Sequence, residues 1–176
     1  PVTDEMMRHP PDEDWLMARR NYQGWSYSPL KQIDTDNVKN LQLRWTWAMN
    51  EGGASEITPI IHHGVMFLSN TGNTIQALNA KTGELLWENR VGPAPTRAYG
   101  GMRSIGIYGD KVLFNSVDAK IYALNARTGK IVWQTTIADP SHSNTGGVIV
   151  INGKVLSGLT GCSRRPAKDH CFISAY

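Results

Sequence analysis

An all-β fold of the β-propeller kind is predicted by three observations: a long internal repeat, short apolar runs bounded by turn dipeptides, and one Trp at a fixed place in each copy. Residues 57–91 read ITPIIHHGVMFLSNTGNTIQALNAKTGELLWENRV, and residues 103–137 read RSIGIYGDKVLFNSVDAKIYALNARTGKIVWQTTI. They align without a gap at an offset of about 46 residues, a blade-sized period. Ala77-Leu78-Asn79-Ala80 matches Ala123-Leu124-Asn125-Ala126, Thr82-Gly83 matches Thr128-Gly129, and Trp87 matches Trp133.

Taken in order, the chain opens with a polar stretch, Pro1 to Pro11, that carries no secretory apolar core. Residues 14–41 follow as DWLMARRNYQGWSYSPLKQIDTDNVKNL, in which Thr35-Asp36-Asn37-Val38 predicts a capped helical turn. Leu41 to Trp47 alternates as a half-buried strand does, and is expected to complete the last blade of a closed ring. In the first copy, His63-Gly64 predicts a tight turn before a strand at Val65–Leu68. A second strand follows at Ile75–Leu78, then the Lys81-Thr82-Gly83 turn and a third strand from Leu85 to Trp87. The second copy repeats this with Gly109-Asp110, Val112–Phe114, Ile121–Leu124, Arg127-Thr128-Gly129 and Ile131–Trp133. A third copy begins at Gly146 and contains the Asn152-Gly153 turn. An inserted loop, Ser163 to His170, precedes CFISAY. The chain stops at Ala175-Tyr176, where earlier copies continue with Asn-Ala-x-Thr-Gly, so a truncated repeat is expected. The expected organisation is one partial propeller domain over residues 1–176. Residues 1–56 form an N-terminal segment with a closing strand, 57–101 and 102–144 are blades, and 145–176 is a partial blade, about two and a half blades in all. The fixed Trp residues read as inter-blade packing, since a blade buries little surface alone and a large indole supplies apolar contact plus one N–H donor.

Composition fits a soluble all-β domain, with 40% hydrophobic residues, 19% charged residues and 17 Gly. The net charge of +3 is not organised into a basic stripe with aromatics, which argues against nucleic acid as a partner. The densest basic tract, Arg164, Arg165 and Lys168, is interrupted by Asp169 and reads as a solvated loop. No apolar run reaches the roughly 18 residues a spanning helix needs. No CxxCH is present for covalent haem attachment. Cys162 and Cys171 are compatible with free thiols, with a metal site helped by His170, or with a disulfide.

The segment WLMARRNYQGWSYSPLKQIDTDNVKNLQLRWTW and the repeated ALNAxTGxxxW resemble the pyrroloquinoline-quinone (PQQ) dependent alcohol and methanol dehydrogenases, over about Asp14 to Tyr176. The second of these is similar to that family's tryptophan-docking motif. The resemblance implies a PQQ-dehydrogenase-type propeller, eight-bladed in the full protein, that oxidises an alcohol to an aldehyde or ketone. It implies PQQ and Ca²⁺ as cofactors, an electron acceptor such as a cytochrome c or a quinone, and a periplasmic location. Glu56 stands before the first inner strand, Met102 and Arg103 at the same point in the second copy and Thr145 and Gly146 in the third. Inner strands of successive blades converge on one axis, so these positions can face one ligand. By resemblance, Glu56, Arg103, Thr145, Thr160, Gly161 and Cys162 bind the cofactor. Arg103 is suited to pair with one of its carboxylates, and Gly161 and Cys162 lie beside its ring. No catalytic residue is expected in this stretch, because the general base, an Asp, belongs to a later blade.

Two departures from the family stand out. Its adjacent cysteines before the Arg103 region are replaced by Ala98-Tyr99-Gly100-Gly101, and Ser163 stands where the family carries a calcium-binding Glu. In their place GCSRRPAKDHC suggests a Cys162–Cys171 disulfide clipping the insertion close to the cofactor, which requires an oxidising compartment. Two rival expectations are a PQQ sugar dehydrogenase and a non-catalytic scaffold propeller of the outer-membrane assembly type. Open blade faces lead to an expectation of contact with the rest of a propeller, or of self-association.

Overall fold

The protein is described by a computed structural model over residues 1–49, 56–93, 103–139, 142–160, 162 and 170–176. Its strands form three antiparallel sheets, each a meander of sequence neighbours. The first joins β1 (Ile60–His62), β2 (Val65–Asn70), β3 (Thr74–Asn79) and β4 (Leu85–Arg90). The second joins β5 (Gly106–Tyr108), β6 (Lys111–Asn115), β7 (Lys120–Asn125) and β8 (Ile131–Thr136). The third joins β9 (Ile149–Ile151), β10 (Lys154–Gly158) and β11 (Ile173–Ala175). This is the all-β partial propeller that the repeat predicts.

The register repeats with the sequence. Phe67 pairs with Ala77 and Ala77 with Trp87, just as Leu113 pairs with Ala123 and Ala123 with Trp133. A bulge follows Ala77 in one sheet and Ala123 in the other. The β1–β2 turn places His63 at φ 49° and Gly64 at φ 74°, and the β9–β10 turn places Asn152 at φ 50° and Gly153 at φ 71°. These are the left-handed pairs that a two-residue hairpin demands.

Of the two Trp residues expected to pack between sheets, Trp133 packs against the core between the second and third sheets, and Trp87 shows a geometry that Trp45 shares. The Trp87 indole N–H donates to the Ala126 carbonyl at 2.9 Å, and its ring lies flat against Gly129 of the next sheet. A Cβ at Gly129 would come within 2.5 Å of that ring. Trp45 repeats the arrangement one sheet earlier, donating to the Ala80 carbonyl at 3.2 Å and covering Gly83. Two apolar cores result. One, between the first and second sheets, gathers Ile60, Phe67, Ile75, Val112, Phe114 and Leu124. The other, between the second and third, gathers Leu113, Ile121, Val148, Val150 and Val155.

Three features differ from expectation. Leu41 to Trp47 forms no strand, because no neighbouring strand lies beside it among the described residues and an extended segment gains ladder hydrogen bonds only from a partner. It is held instead by its indoles, Trp45 on Ala80 and Trp47 on the Gln76 side chain at 3.1 Å. The expected helical turn is a 3₁₀ turn, Val38–Asn40, whose preceding residues are tied by Asp34. The Asp34 carboxylate accepts from the backbone N–H of Asp36 and of Asn37, each at 2.9 Å, so the approach to the turn is fixed by Asp34, while the turn itself carries no side-chain cap.

The polar opening stretch is not a loose tail. It forms α1 (Asp4–Arg8), with the Thr3 side chain accepting from Met6 N–H at 3.3 Å. Val2, Met7 and Leu16 enter the first core, Val2 bridges Gly109, and Trp15 bridges Ile61. Asp4 ties this helix to two sheets. Its carboxylate accepts from the Tyr108 hydroxyl at 2.7 Å, the Tyr22 hydroxyl at 2.9 Å and the Asn152 N–H at 2.8 Å. The Tyr108 hydrogen bond is the main cause holding Asp4 below the usual carboxylate range, while burial is the main cause pushing the Tyr22 phenol up. Among the described residues no helix is long and apolar enough to cross a membrane.

Candidate functional site

The chain enters each inner strand from the same side, and there the three sheets touch. Thr58 N–H donates to the Arg103 carbonyl at 3.2 Å, and Arg103 N–H donates to the Thr145 carbonyl at 3.2 Å. Such a staircase of backbone contacts draws the starts of successive blades together. Small residues allow the approach: at Gly147 a Cβ would collide with Ser104 Oγ, and at Gly106 it would meet Val148 at 2.7 Å.

On this staircase the side chains of Glu56, Arg103 and Thr145 meet. Arg103 Nε pairs with Glu56 Oε2 at 3.2 Å, and Arg103 Nη1 donates to Thr145 Oγ1 at 3.2 Å. The three residues lie one before each successive inner strand, as the repeat register predicts. The Arg103 side chain remains 60% exposed, so it is oriented yet open to an incoming group. The contacts use its Nε and one Nη, and leave further N–H groups of the fork without a partner among the described residues.

Behind this row lies a polar shelf. Asn144 is buried and donates through its amide to Ser157 Oγ at 2.9 Å and to the Gly158 carbonyl, while Asn115 donates to the Gly146 carbonyl at 3.2 Å. Asn144 Oδ1 is a buried acceptor with no partner among the described residues. Thr160 lies on this shelf, with its hydroxyl 3.0 Å from the Ser143 hydroxyl and its N–H donating to the Ser143 carbonyl at 2.9 Å. The sequence did not single out Ser143, which sits in a connection with no periodic signal and is found only through its partner. Cys162 and Cys171 form a disulfide, with Cα atoms 5.5 Å apart, just beyond Thr160. That disposes of the free-thiol and metal-ligand alternatives for this pair. Gly161 and Ser163 lie outside the described residues. Thr160 and Cys162 are not joined to the Glu56–Arg103–Thr145 row by any described hydrogen bond.

The family described as "Glucose/ethanol/alcohol dehydrogenase, beta-propeller domain" matches residues 15–135. The quinohemoprotein alcohol dehydrogenase ADH IIB of Pseudomonas putida is 34% identical over 170 residues, which cover 93% of this chain and 24% of that protein. Among solved structures, the quinohemoprotein alcohol dehydrogenase from Comamonas testosteroni superposes with a TM-score of 0.85 at 27% identity, covering 99% of this chain and 27% of that one. A europium-containing methanol dehydrogenase superposes with a TM-score of 0.83 at 26% identity, covering 99% of this chain and 32% of that one. The chain thus spans about a quarter of the length of the curated relative it matches.

Proposed function

The chain belongs to the PQQ-dependent glucose/ethanol/alcohol dehydrogenase propeller family, and from that premise we propose that it is part of an alcohol dehydrogenase in which it supplies one wall of the PQQ site. One observation carries this reading: residues from three successive blades, Glu56, Arg103 and Thr145, meet as a single hydrogen-bonded row at the starts of the inner strands. A scaffold propeller has no need of an oriented, half-open guanidinium at that point.

The residues present fit the cofactor chemically. PQQ is a planar orthoquinone carrying carboxylates, and when bound it supplies the two-electron oxidant for the alcohol. Arg103 offers its remaining N–H groups to a carboxylate, with Glu56 and Thr145 fixing the plane of the fork beforehand. Thr145 and Thr160 offer hydroxyls, and the unpartnered Asn144 Oδ1 offers an acceptor behind them. Gly161 is assigned a place beside the ring by the family resemblance alone, and the Cys162–Cys171 disulfide follows Thr160 in the chain.

The metal we assign to other blades. Glu56 is the carboxylate in the described row and is committed to Arg103, and a Ser at 163 is a poor ligand for a hard dication such as Ca²⁺. The general base belongs to the same later blades. The disulfide favours an oxidising compartment, hence the periplasm. A cytochrome c or a quinone is the proposed acceptor.

PQQ titration of the complete protein with Ca²⁺ present tests this, read by cofactor absorbance and by dye reduction with short alcohols. Arg103→Ala is expected to weaken PQQ binding about ten- to a hundredfold, the weight of a charge-assisted hydrogen bond. Unchanged PQQ affinity in that variant removes Arg103 from the site. No PQQ uptake by the unaltered protein turns the reading to a scaffold.

A further inference from the structure

At the opposite end of β1 from Glu56, the β1–β2 turn carries two adjacent imidazoles beside a buried carboxylate. We propose that His62 and His63, positioned by Asp14, form a binding site for a divalent ion of borderline softness, of the zinc class. A nitrogen of each imidazole and a carboxylate oxygen of Asp14 lie within 4.8 Å of one another. Around a tetrahedral ion with arms of about 2.05 Å, ligand atoms sit roughly 3.3 Å apart. In the proposed site the exposed His63 side chain rotates to bring its nitrogen to that spacing. The two rings already lie 4.0 Å centroid to centroid, inclined at 60°.

Asp14 explains why the pair is held this way. Its side chain is buried, and Oδ2 lies 2.7 Å from His62 Nδ1. With the proton on Nδ1, Nε2 is left as the lone-pair nitrogen. This carboxylate–imidazole arrangement is the one that orients metal-binding histidines. The other oxygen, Oδ1, accepts the His63 N–H at 3.0 Å and so supports a non-glycine residue at φ 49°. One carboxylate therefore fixes both the tautomer of the first imidazole and the backbone that presents the second. Asp14 is a positioning residue and adds negative charge beside the cation. Imidazole ligands select a zinc-class ion over Ca²⁺ or Mg²⁺, which take oxygen.

The Asp14 carboxylate that orients the pair also ties the N-terminal segment to the first blade. Asp14 and Trp15 come from one, His62 and His63 from the other, and Trp15 already bridges Ile61 through two backbone hydrogen bonds of 2.8 and 2.9 Å.

The test is calorimetric titration of the metal-free protein with Zn²⁺, with Co²⁺ as a spectroscopic probe, alongside thermal unfolding with and without Zn²⁺. Saturable binding of one ion per chain is expected, with a rise in Tm. His63→Ala, an exposed change that leaves the Asp14–His62 contact in place, is expected to weaken binding at least tenfold and to abolish the Tm rise. Asp14→Asn is expected to weaken binding ten- to a hundredfold. Because Asp14 is buried and its variant can fail to fold, His63→Ala decides the matter. Absence of saturable Zn²⁺ binding in the unaltered protein, or equal affinity in His63→Ala, overturns the proposal.

Discussion

Asp4 shows how one residue sets the place of a segment. Its carboxylate collects donors from Tyr22, Tyr108 and Asn152, and the Tyr108 hydroxyl above all keeps it ionised to lower pH than a free carboxylate. A folded-state pKa below the unfolded one contributes stability that is complete above the unfolded value, about 3.9, and is lost as pH falls through the folded value. Asp4→Asn should therefore lower stability at neutral pH and flatten the acid limb of the stability curve below about pH 4, as measured by urea unfolding across pH. Gly129 is decided just as locally. With φ at 68° and the Trp87 ring where a Cβ would stand, Gly129→Ala is expected to destabilise by about 1–3 kcal/mol in denaturant unfolding. His63 and Gly64 invite the opposite comparison: Gly64→Ala meets no neighbour within 4 Å, so its cost should come from φ alone and be the smaller of the two.

At the scale of the element, the unit of cohesion is a Trp from one sheet laid over the Thr-Gly turn of the next. Trp87 both fills apolar space beside Phe67 and satisfies the Ala126 carbonyl. Trp87→Ala removes both and is expected to cost about 2–4 kcal/mol, below the range for a fully buried Trp because this one is half-buried. Trp87→Phe should recover the packing and not the hydrogen bond, and so fall in between; the pair of variants measured by chemical denaturation separates the two contributions. In the third copy Cys162 and Cys171 are joined by a disulfide. Its short loop predicts roughly 2–3 kcal/mol lost on Cys162→Ser with Cys171→Ser, compared with the oxidised protein.

For the whole molecule, the two ends of the array matter most. The first sheet is covered on its outer side by the Trp45–Trp47 segment, and the third presents Ile149, Ile151, Phe172 and Ile173, the last 80% exposed. An apolar face of this kind is what a neighbouring blade buries in a repeat array. We propose that the 176-residue chain studied alone self-associates through it. Sedimentation should then show a concentration-dependent rise in mass, and a single monomeric species across micromolar concentrations would refute this. The chain spans about a quarter of the length of its curated relative, and the Glu56–Arg103–Thr145 row stands partly exposed.

The sequence by itself determined the blades. Ala77-Leu78-Asn79-Ala80 and its copy, the turn dipeptides and the recurrent Trp are local signals, and antiparallel neighbours along the chain need nothing more to find their register. It also placed Glu56, Arg103 and Thr145 within a residue of the same point before successive inner strands, where periodicity brings them together. What only the tertiary structure decided is everything that depends on a partner distant in sequence. Leu41 to Trp47 alternates like a strand, yet it forms none without a neighbour to pair with. The polar opening stretch buries Val2, Met7 and Leu16 because Asp4 and Trp15 find acceptors and bridges far along the chain. Asp14 meets His62 and His63 across a gap that no sequence period spans. Periodicity reports which residues share a face; which faces then touch is settled by the burial and hydrogen bonding of the assembled sheets.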